Sequence, residues 1–413
     1  MLIFLITIAL FLREYEYQGY VLRLIAKSSA FLAISSLSIT YVISSRLGAI
    51  EEMFGGLDRA YVSHQIVGRA SLILMIVHPL LLSASYGWNR YTLKIFFLPG
   101  YSIDHTLGLL SLIIVFVLVT LTICFNYRYD VWLYTHRVMI IALPLAALHS
   151  LRIGSEAQNA SLYYWIIFLS MAGMIGYAYK VFLYKRFGPR NTYAIEGLAL
   201  RSNVTEIVVG PTGKSKKVTP GQFFFLQFPE LGGELHPFSV SRIYDDLRLR
   251  FSIKASGDYT SREVPTLRNG SRAILYGPYG RFLQDLKRAK GALLVAGGIG
   301  ITPFLSILNS AEDGGQNIRL LWSISGIEDA IYEEELEEIE GKIGNFQHEI
   351  WISGINGRVK AADIIELFEI QEILSDIEIF LCGPQDMIYD LSSELASAGA
   401  QPKNIFLEEF KLR

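Results

Sequence analysis

Four of the seven histidines fall in two apolar stretches: His64 and His78 in residues 61–86, His136 and His149 in residues 131–152. The spacings are fourteen and thirteen residues. At about 1.5 Å per residue, fourteen residues of helix separate the first two rings by roughly 21 Å and leave them about 40° from a common face. That suits two stacked metal centres, one towards each side of a membrane. Thirteen residues leave the second pair about 140° short of four full turns in a regular helix. Pro144 lies between them, and an interior proline kinks a helix and frees backbone groups. A kink or π-bulge there is expected to turn both rings inward. An imidazole in hydrocarbon needs a partner. Histidines bonded to neighbouring helices are one solution. The matched double pair favours another: two haems, each taking one ligand from each helix.

The elements that position these rings follow from composition. The chain has 413 residues, 51% of them hydrophobic and only 18% charged, with a mean hydropathy of +0.34. Residues 1 to about 186 carry most of the apolar excess, and the remainder is of ordinary soluble composition. Membrane spans are expected at about 20–45, 61–87, 103–126, 131–152 and 161–184. Leu2–Leu12 is apolar but shorter than the about 20 residues a span needs, and reads as a trimmed first helix or an interfacial anchor. No basic n-region or small-residue cleavage site suggests a removable signal peptide. A net charge of −2 gives no case for nucleic acid, and Cys124 and Cys382 fall in different halves, so no disulfide framework is suggested.

Basic residues near span ends set orientation. Lys180, Lys185, Arg186 and Arg190 follow the last span and place that end in the cytoplasm. His64 and His136 then lie near the inner side, and His78 and His149 near the outer side. Arg69 stands inside a span, where a charge is costly and ordinarily faces the bundle interior; a haem propionate and a water-filled or snorkelling position are the two alternatives. His105 lies at the outer side, as an interface residue or a group near the electron acceptor.

Beyond Gly188-Pro189 short alternating strands begin, at 192–200, 204–209, 221–228, 248–254 and 272–275, as in a small β-barrel. From Gly291 strands and helices alternate, as in a parallel α/β domain. The expected division is 1–186, a helical transmembrane domain of about six helices; 187–288, a β-barrel; and 289–413, a Rossmann-like domain. In the last, the apolar run Leu293–Ala296 enters Gly297-Gly298-Ile299-Gly300-Ile301-Thr302-Pro303. Glycines allow close backbone approach to a pyrophosphate, and a helix N-terminus favours anions.

That glycine run, together with Cys382-Gly383-Pro384, resembles the nicotinamide domain of the ferredoxin–NADP reductase superfamily. His236-Pro237-Phe238-Ser239 and Gly277-Pro278-Tyr279-Gly280 are similar to its flavin-domain motifs. Joined to the histidine bundle, the whole chain resembles a prokaryotic NADPH oxidase of the ferric reductase superfamily. The resemblance implies FAD contacts at His236, Pro237, Phe238, Ser239, Gly277 and Gly280. It makes Arg242 a candidate cation for the FAD phosphates, and Gly257, Asp258, Tyr259 and Thr260 resemble the family's phosphate-binding turn. For the nicotinamide dinucleotide it implies Gly297, Gly298, Gly300, Thr302 and Pro303 at the phosphates and Cys382, Gly383 and Pro384 at the reactive ring. Phe410 would cap the flavin and move aside for the nicotinamide. Cofactors implied are FAD, two bis-histidine b-type haems and NADPH. After Trp322-Ser323-Ile324-Ser325 come Gly326-Ile327-Glu328-Asp329, with no arginine for a 2′-phosphate, so NADH tolerance is expected. The run Glu333-Glu334-Glu335 reads as a solvated helix face. The implied activity is electron transfer across the bilayer from NAD(P)H to dioxygen, giving superoxide. Alternatives are a ferric-chelate reductase, a non-enzymatic electron conduit and a proton channel. No calcium-binding loop is present in the sequence.

Overall fold

The computed structural model describes residues 1–15, 20–125, 129–153, 160–283, 286, 289, 291–311 and 316–409. They form two compact units, Met1–Arg186 and Phe187–Arg413.

In the first unit, α1 (Leu2–Glu14) is a short apolar helix packed on α2 (Val21–Ile43). After α3 (Gly48–Phe54) comes α4 (Leu57–Tyr86), then α5 (Arg90–Phe97), capped by the Asn89 side chain, and α6 (Ile103–Cys124). The expected fourth span is built in three pieces: α7 (Tyr129–Arg137), a 3₁₀ turn over Val138–Ile141, and α8 (Ala142–Ile153). Last are α9 (Ala160–Ala178), a π-turn over Tyr179–Leu183 and α10 (Tyr184–Phe187). Five helical stretches are long and apolar enough to cross a membrane: Val21–Ile43, Arg59–Tyr86, Ile103–Cys124, Val131–Ile153 and Ser161–Phe187. The α1 helix is a shorter apolar element.

The 3₁₀ turn, rather than a proline kink or π-bulge, corrects the thirteen-residue spacing. Each residue of 3₁₀ helix advances about 120° against about 100° for α, so four of them recover roughly 80° of the 140° deficit. Pro144 falls in the first turn of α8, where a missing N–H costs little. Side chains of neighbouring helices meet the carbonyls at this irregular point. Tyr41 donates to the Met139 carbonyl, and Ser111 donates to the Ala142 carbonyl at 2.8 Å. Without water in the bilayer, irregular backbone survives only with such partners.

The second unit starts with a closed barrel in the order β1-β2-β5-β4-β3-β6. Its strands are β1 (Arg190–Arg201), β2 (Val204–Pro211), β3 (Phe223–Gln227), β4 (His236–Ile243), β5 (Leu249–Lys254) and β6 (Arg272–Tyr279). The β4 strand was not among the sequence-derived strands, because His236-Pro237 masks its alternation. A parallel sheet follows, β11-β10-β7-β8-β9. It comprises β7 (Gly291–Gly297), β8 (Asn317–Ile324), β9 (Phe346–Ile352), β10 (Glu378–Gly383) and β11 (Ile405–Glu409), with α11 (Thr302–Leu308), α12 (Glu333–Glu340), α13 (Ser353–Asn356), α14 (Ala361–Leu367) and α15 (Gln385–Ser397). Leu294, Ala296, Leu320, Trp322 and Phe380 feed one core, while Leu293, Val295, Leu321, Ile379 and Leu381 feed the opposite one. Both faces are covered, which is why β7 reads as an unbroken apolar run. The architecture is the expected multi-domain one: a helical bundle, a β-barrel and a Rossmann-like sheet.

Candidate functional site

The four membrane histidines come together in two pairs. The ring centroids of His64 and His136 are 6.3 Å apart, and those of His78 and His149 are 6.4 Å apart. Two metal–imidazole bonds of about 2 Å hold facing nitrogens about 4 Å apart, and the two ring radii make up the remainder. Three of the four Nδ1 atoms are engaged by backbone carbonyls: His64 with Thr40 at 2.9 Å, His78 with Ala26 at 2.8 Å and His149 with Asp104 at 2.7 Å. A carbonyl only accepts, so Nδ1 carries the proton and Nε2 keeps its lone pair for a metal. His136 is held differently, stacked on Trp132 at 5.1 Å, and its buried Nδ1 has no hydrogen-bond partner. The donor set and the spacing fit a bis-histidine metal at each pair.

Around His78 and His149 the helices leave a cavity of about 1120 Å³, including its mouth, lined mainly by apolar side chains such as Met75, Leu82, Phe96 and Leu112. Gly108 makes room for the ligand: a Cβ there would lie 2.8 Å from the His149 ring. His105 lines the same cavity, 6.5 Å from the His149 ring and 5.4 Å from Phe96. At the other pair, cations gather within a turn of His64. Arg46 Nε donates to the Tyr61 hydroxyl at 2.9 Å, and Lys180 Nζ stands 5.4 Å from the Tyr61 ring.

The alternative that put Arg69 at a haem propionate is corrected. The residue is exposed and shares the outward stripe of α4 with Val62, Ile66 and Ile73. Five residues carry it about 140° round the helix from His64. Cations that do face the bundle include Arg46 and Lys180, which in the sequence serve only to mark orientation, and Lys27, which lines the cavity at the second pair.

In the barrel, His236 and Phe238 sit on β4, and the His236 ring stacks on Tyr259 at 3.9 Å. The Tyr259 hydroxyl is shielded from solvent without a hydrogen-bond partner. Burial first, then nearby Glu263 and Glu234, push its pKa up, so it stays a donor. Burial lowers the His236 pKa, against the pull of Glu234. An orphaned phenol beside stacked rings fits a flat, hydrogen-bonding ring system such as a flavin. Ser239 is buried on the same strand, and Pro237 pairs with Phe225 of β3. In the turn after β5, the Thr260 hydroxyl accepts from the Ser256 and Gly257 N–H groups at 2.9 and 3.1 Å, with Asp258 and Tyr259 lying between. Gly277 and Gly280 flank Pro278 at positive φ at the end of β6.

Arg242, the expected cation for the FAD phosphates, points at Glu335 of α12, 3.7 Å away. Its partner across the ladder, Arg250, grips the same carboxylate at 2.8 and 2.9 Å. Glu335 is therefore the hub of a barrel-to-sheet ion cluster and not part of a solvated face, although Glu333 and Glu334 are exposed.

In the sheet, the glycine turn and Cys382-Gly383-Pro384 interlock. A Cβ on Gly300 would fall 2.2 Å from the Cys382 carbonyl, and Gly298 has φ +54. Only glycine serves at both. Gly297 packs on Pro384, while Thr302 and Pro303 open α11. Cys382 is fully buried, with Sγ 3.9 Å from a Glu408 carboxylate oxygen. Burial, reinforced by Glu408, raises the thiol pKa well above its usual value. Glu408 escaped the sequence reading; its signal was its place in β11, two residues before Phe410. Phe410 itself lies outside the described residues.

Family comparison matches the three parts in order. "Ferric reductase like transmembrane component" covers 29–147, "FAD-binding domain" 193–282 and "Oxidoreductase NAD-binding domain" 294–393. The chain thus joins a segment similar to ferric reductase-like transmembrane components to segments similar to FAD-binding and oxidoreductase NAD-binding domains. The chain is 29% identical to the toluate 1,2-dioxygenase electron transfer component of Pseudomonas putida over 46% of its own length and 58% of that protein. It is 34% identical to NADPH oxidase 1 of Mus musculus over 26% of its length and 19% of that protein. It is 31% identical to ferric reduction oxidase 8 of Arabidopsis thaliana over 44% and 25%. It thus spans less than two thirds of the length of these curated relatives. Flavohemoglobin from Malassezia yamatoensis, a solved structure, aligns with 94% of the chain and 96% of its own at a TM-score of 0.51 and 16% identity, a likeness of fold alone.

Proposed function

We propose that this chain is a transmembrane oxidase that takes electrons from cytoplasmic NAD(P)H, carries them through FAD and two b-type haems, and delivers them to dioxygen outside as superoxide. The observation that carries the reading is the pair of inter-helix histidine couples, each with ring centroids spaced for one metal between two imidazoles. When bound, FAD converts a two-electron hydride donor into single electrons for iron. The chain's own residues bind, orient and shield. His64 with His136, and His78 with His149, hold the two irons, with backbone carbonyls fixing three of the rings. Arg46 and Lys180 offer charge to the carboxylates of the haem at the first pair. His236, Phe238 and Tyr259 would hold the flavin, with the Tyr259 hydroxyl available to it as a donor. Cys382 would keep its proton at the nicotinamide, with Glu408 fixing that thiol. Lys185, Arg186 and Arg190 hold the second unit on the cytoplasmic side.

Reduction of ferric chelates is the second reading, favoured by the matching family description and by the Arabidopsis relative. An anaerobic absorbance spectrum of the purified, FAD-supplied protein, taken before and after NADH or NADPH and again in air, separates them. A bis-histidine haem spectrum, reduced by nucleotide and reoxidised by air with superoxide formed, is expected. Reoxidation by ferric chelate alone would support the second reading. A missing Soret band would overturn both.

A further inference from the structure

The nucleotide site has a second end, beside the glycine turn, and its assignment rests on the dehydrogenase reading of this domain. The chain leaves β8 through Ser325 and Gly326 into the short turn Ile327–Asp329. This exit is fastened to the next strand. The Gly354 N–H donates to the Ser325 carbonyl at 3.1 Å, and the Ser353 hydroxyl donates to the Ile324 carbonyl at 2.9 Å. In a doubly wound sheet the adenosine ribose lies here. A carboxylate receives its 2′-hydroxyl in NAD sites, and an arginine accommodates the 2′-phosphate in NADP sites.

Glu328 supplies a carboxylate at this point. Both of its oxygens lie 2.5 Å from where a Cβ on Gly326 would stand, so the side chain folds back over the α-carbon that opens the turn. Asp329 lines the adjoining cleft with Gly298, Trp322 and Ile324. The lysine lining the cleft, Lys254, sits at its glycine-turn end. Lys254 Nζ comes within 3.7 Å of the Cβ position of Gly298, at the turn that receives the pyrophosphate. No lysine or arginine occurs between Ser323 and Ile331. Arg201 reaches the Ile331 carbonyl at 3.4 Å, but its Nε is paired with Glu206 at 3.2 Å. A 2′-phosphate would meet two carboxylates where a 2′-hydroxyl meets an acceptor.

We propose that this protein selects NADH over NADPH, with Glu328 as the specificity-determining residue. The repulsion lost or gained corresponds to about tenfold or more in affinity. The test uses the full-length, FAD-loaded protein under anaerobic conditions. Flavin reduction by NADH and NADPH is followed by stopped flow, and binding of ADP-ribose is compared with that of its 2′-phosphate. NADH is expected to win on both readouts by about tenfold or more. Glu328→Gln should shrink the ratio, and Ser325→Arg should reverse it. Glu328 and Ser325 are exposed, so neither substitution threatens folding. Equal or tighter binding of the 2′-phosphate, with flavin reduced by either nucleotide, would overturn the proposal while leaving the dehydrogenase reading intact. Failure of both nucleotides to bind or to reduce the flavin would remove that reading and the proposal together.

Discussion

Cys382 shows how one residue acquires its chemistry from its surroundings. Its thiol sits in a fully buried strand end beside Glu408, and both burial and the carboxylate oppose ionisation. A folded-state pKa above the unfolded value of about 8.5 means that this thiol stabilises the fold fully below that pH and loses its contribution as pH rises beyond it. Two outcomes are expected for a Cys124→Ser protein, in which Cys382 is the remaining cysteine. Iodoacetamide should label the native protein at pH 8 at least about tenfold more slowly than the unfolded protein, because the thiolate is the nucleophile. On the proposed placement of Cys382 at the nicotinamide, Glu408→Gln should slow anaerobic flavin reduction by about tenfold or more, the size of a lost hydrogen bond to a charged group. Labelling as fast as in the unfolded chain would contradict the first, and an unchanged stopped-flow rate would contradict the second.

At the scale of elements, α6 and the broken fourth span place one ligand between them. Asp104 of α6 holds the His149 ring through its carbonyl, and Gly108, one turn on, gives the ring its space. On the proposed two-haem reading, Gly108→Ala should displace the imidazole and reduce bound haem from about two to about one per chain, since one histidine of that pair would no longer be placed to hold a metal. A pyridine haemochrome assay against protein concentration reads this directly; an undiminished ratio would show that the ring has room to spare. The barrel and sheet of the second unit are joined by a different device, the Arg250–Glu335 pair, with side-chain exposures of only 9% and 14%. Removing one partner of a buried pair costs roughly 3–5 kcal/mol because the other charge is stranded. Arg250→Met should therefore lower the denaturation midpoint of the second unit, followed by flavin fluorescence. The double variant with Glu335→Leu should recover much of the loss.

At the scale of the molecule, the two units divide the chemistry. The first offers metal ligands inside apolar helices, and the second offers nucleotide-binding surfaces with cores of their own in the barrel and on both faces of the sheet. A chain of residues 187–413 has a complete core and should fold alone, bind FAD and pass electrons from NADH to a soluble one-electron acceptor such as ferricyanide. It should show no haem spectrum, because all four paired histidines lie in the first unit. An insoluble product would mean that its stability depends on the membrane part.

The sequence by itself determined what is written in local periodicity and in residue type. Apolar length marked the spans, alternation marked five of the six barrel strands, and a glycine run after a buried strand marked the nucleotide turn. Each depends on neighbours a few residues apart. Whether His136 and His149 share a face was not legible, because it depends on a 3₁₀ turn held by Tyr41 and Ser111 from other helices. Nor was the fate of the charges. Arg69, Arg242 and Glu335 look alike as isolated residues, and only packing decided that the first faces outward and the other two close an ion cluster. Glu408 met Cys382 through the register of two parallel strands, across twenty-six residues of chain. Long-range pairing of that kind is set by how elements stack to bury their apolar faces, and no short window of sequence contains it.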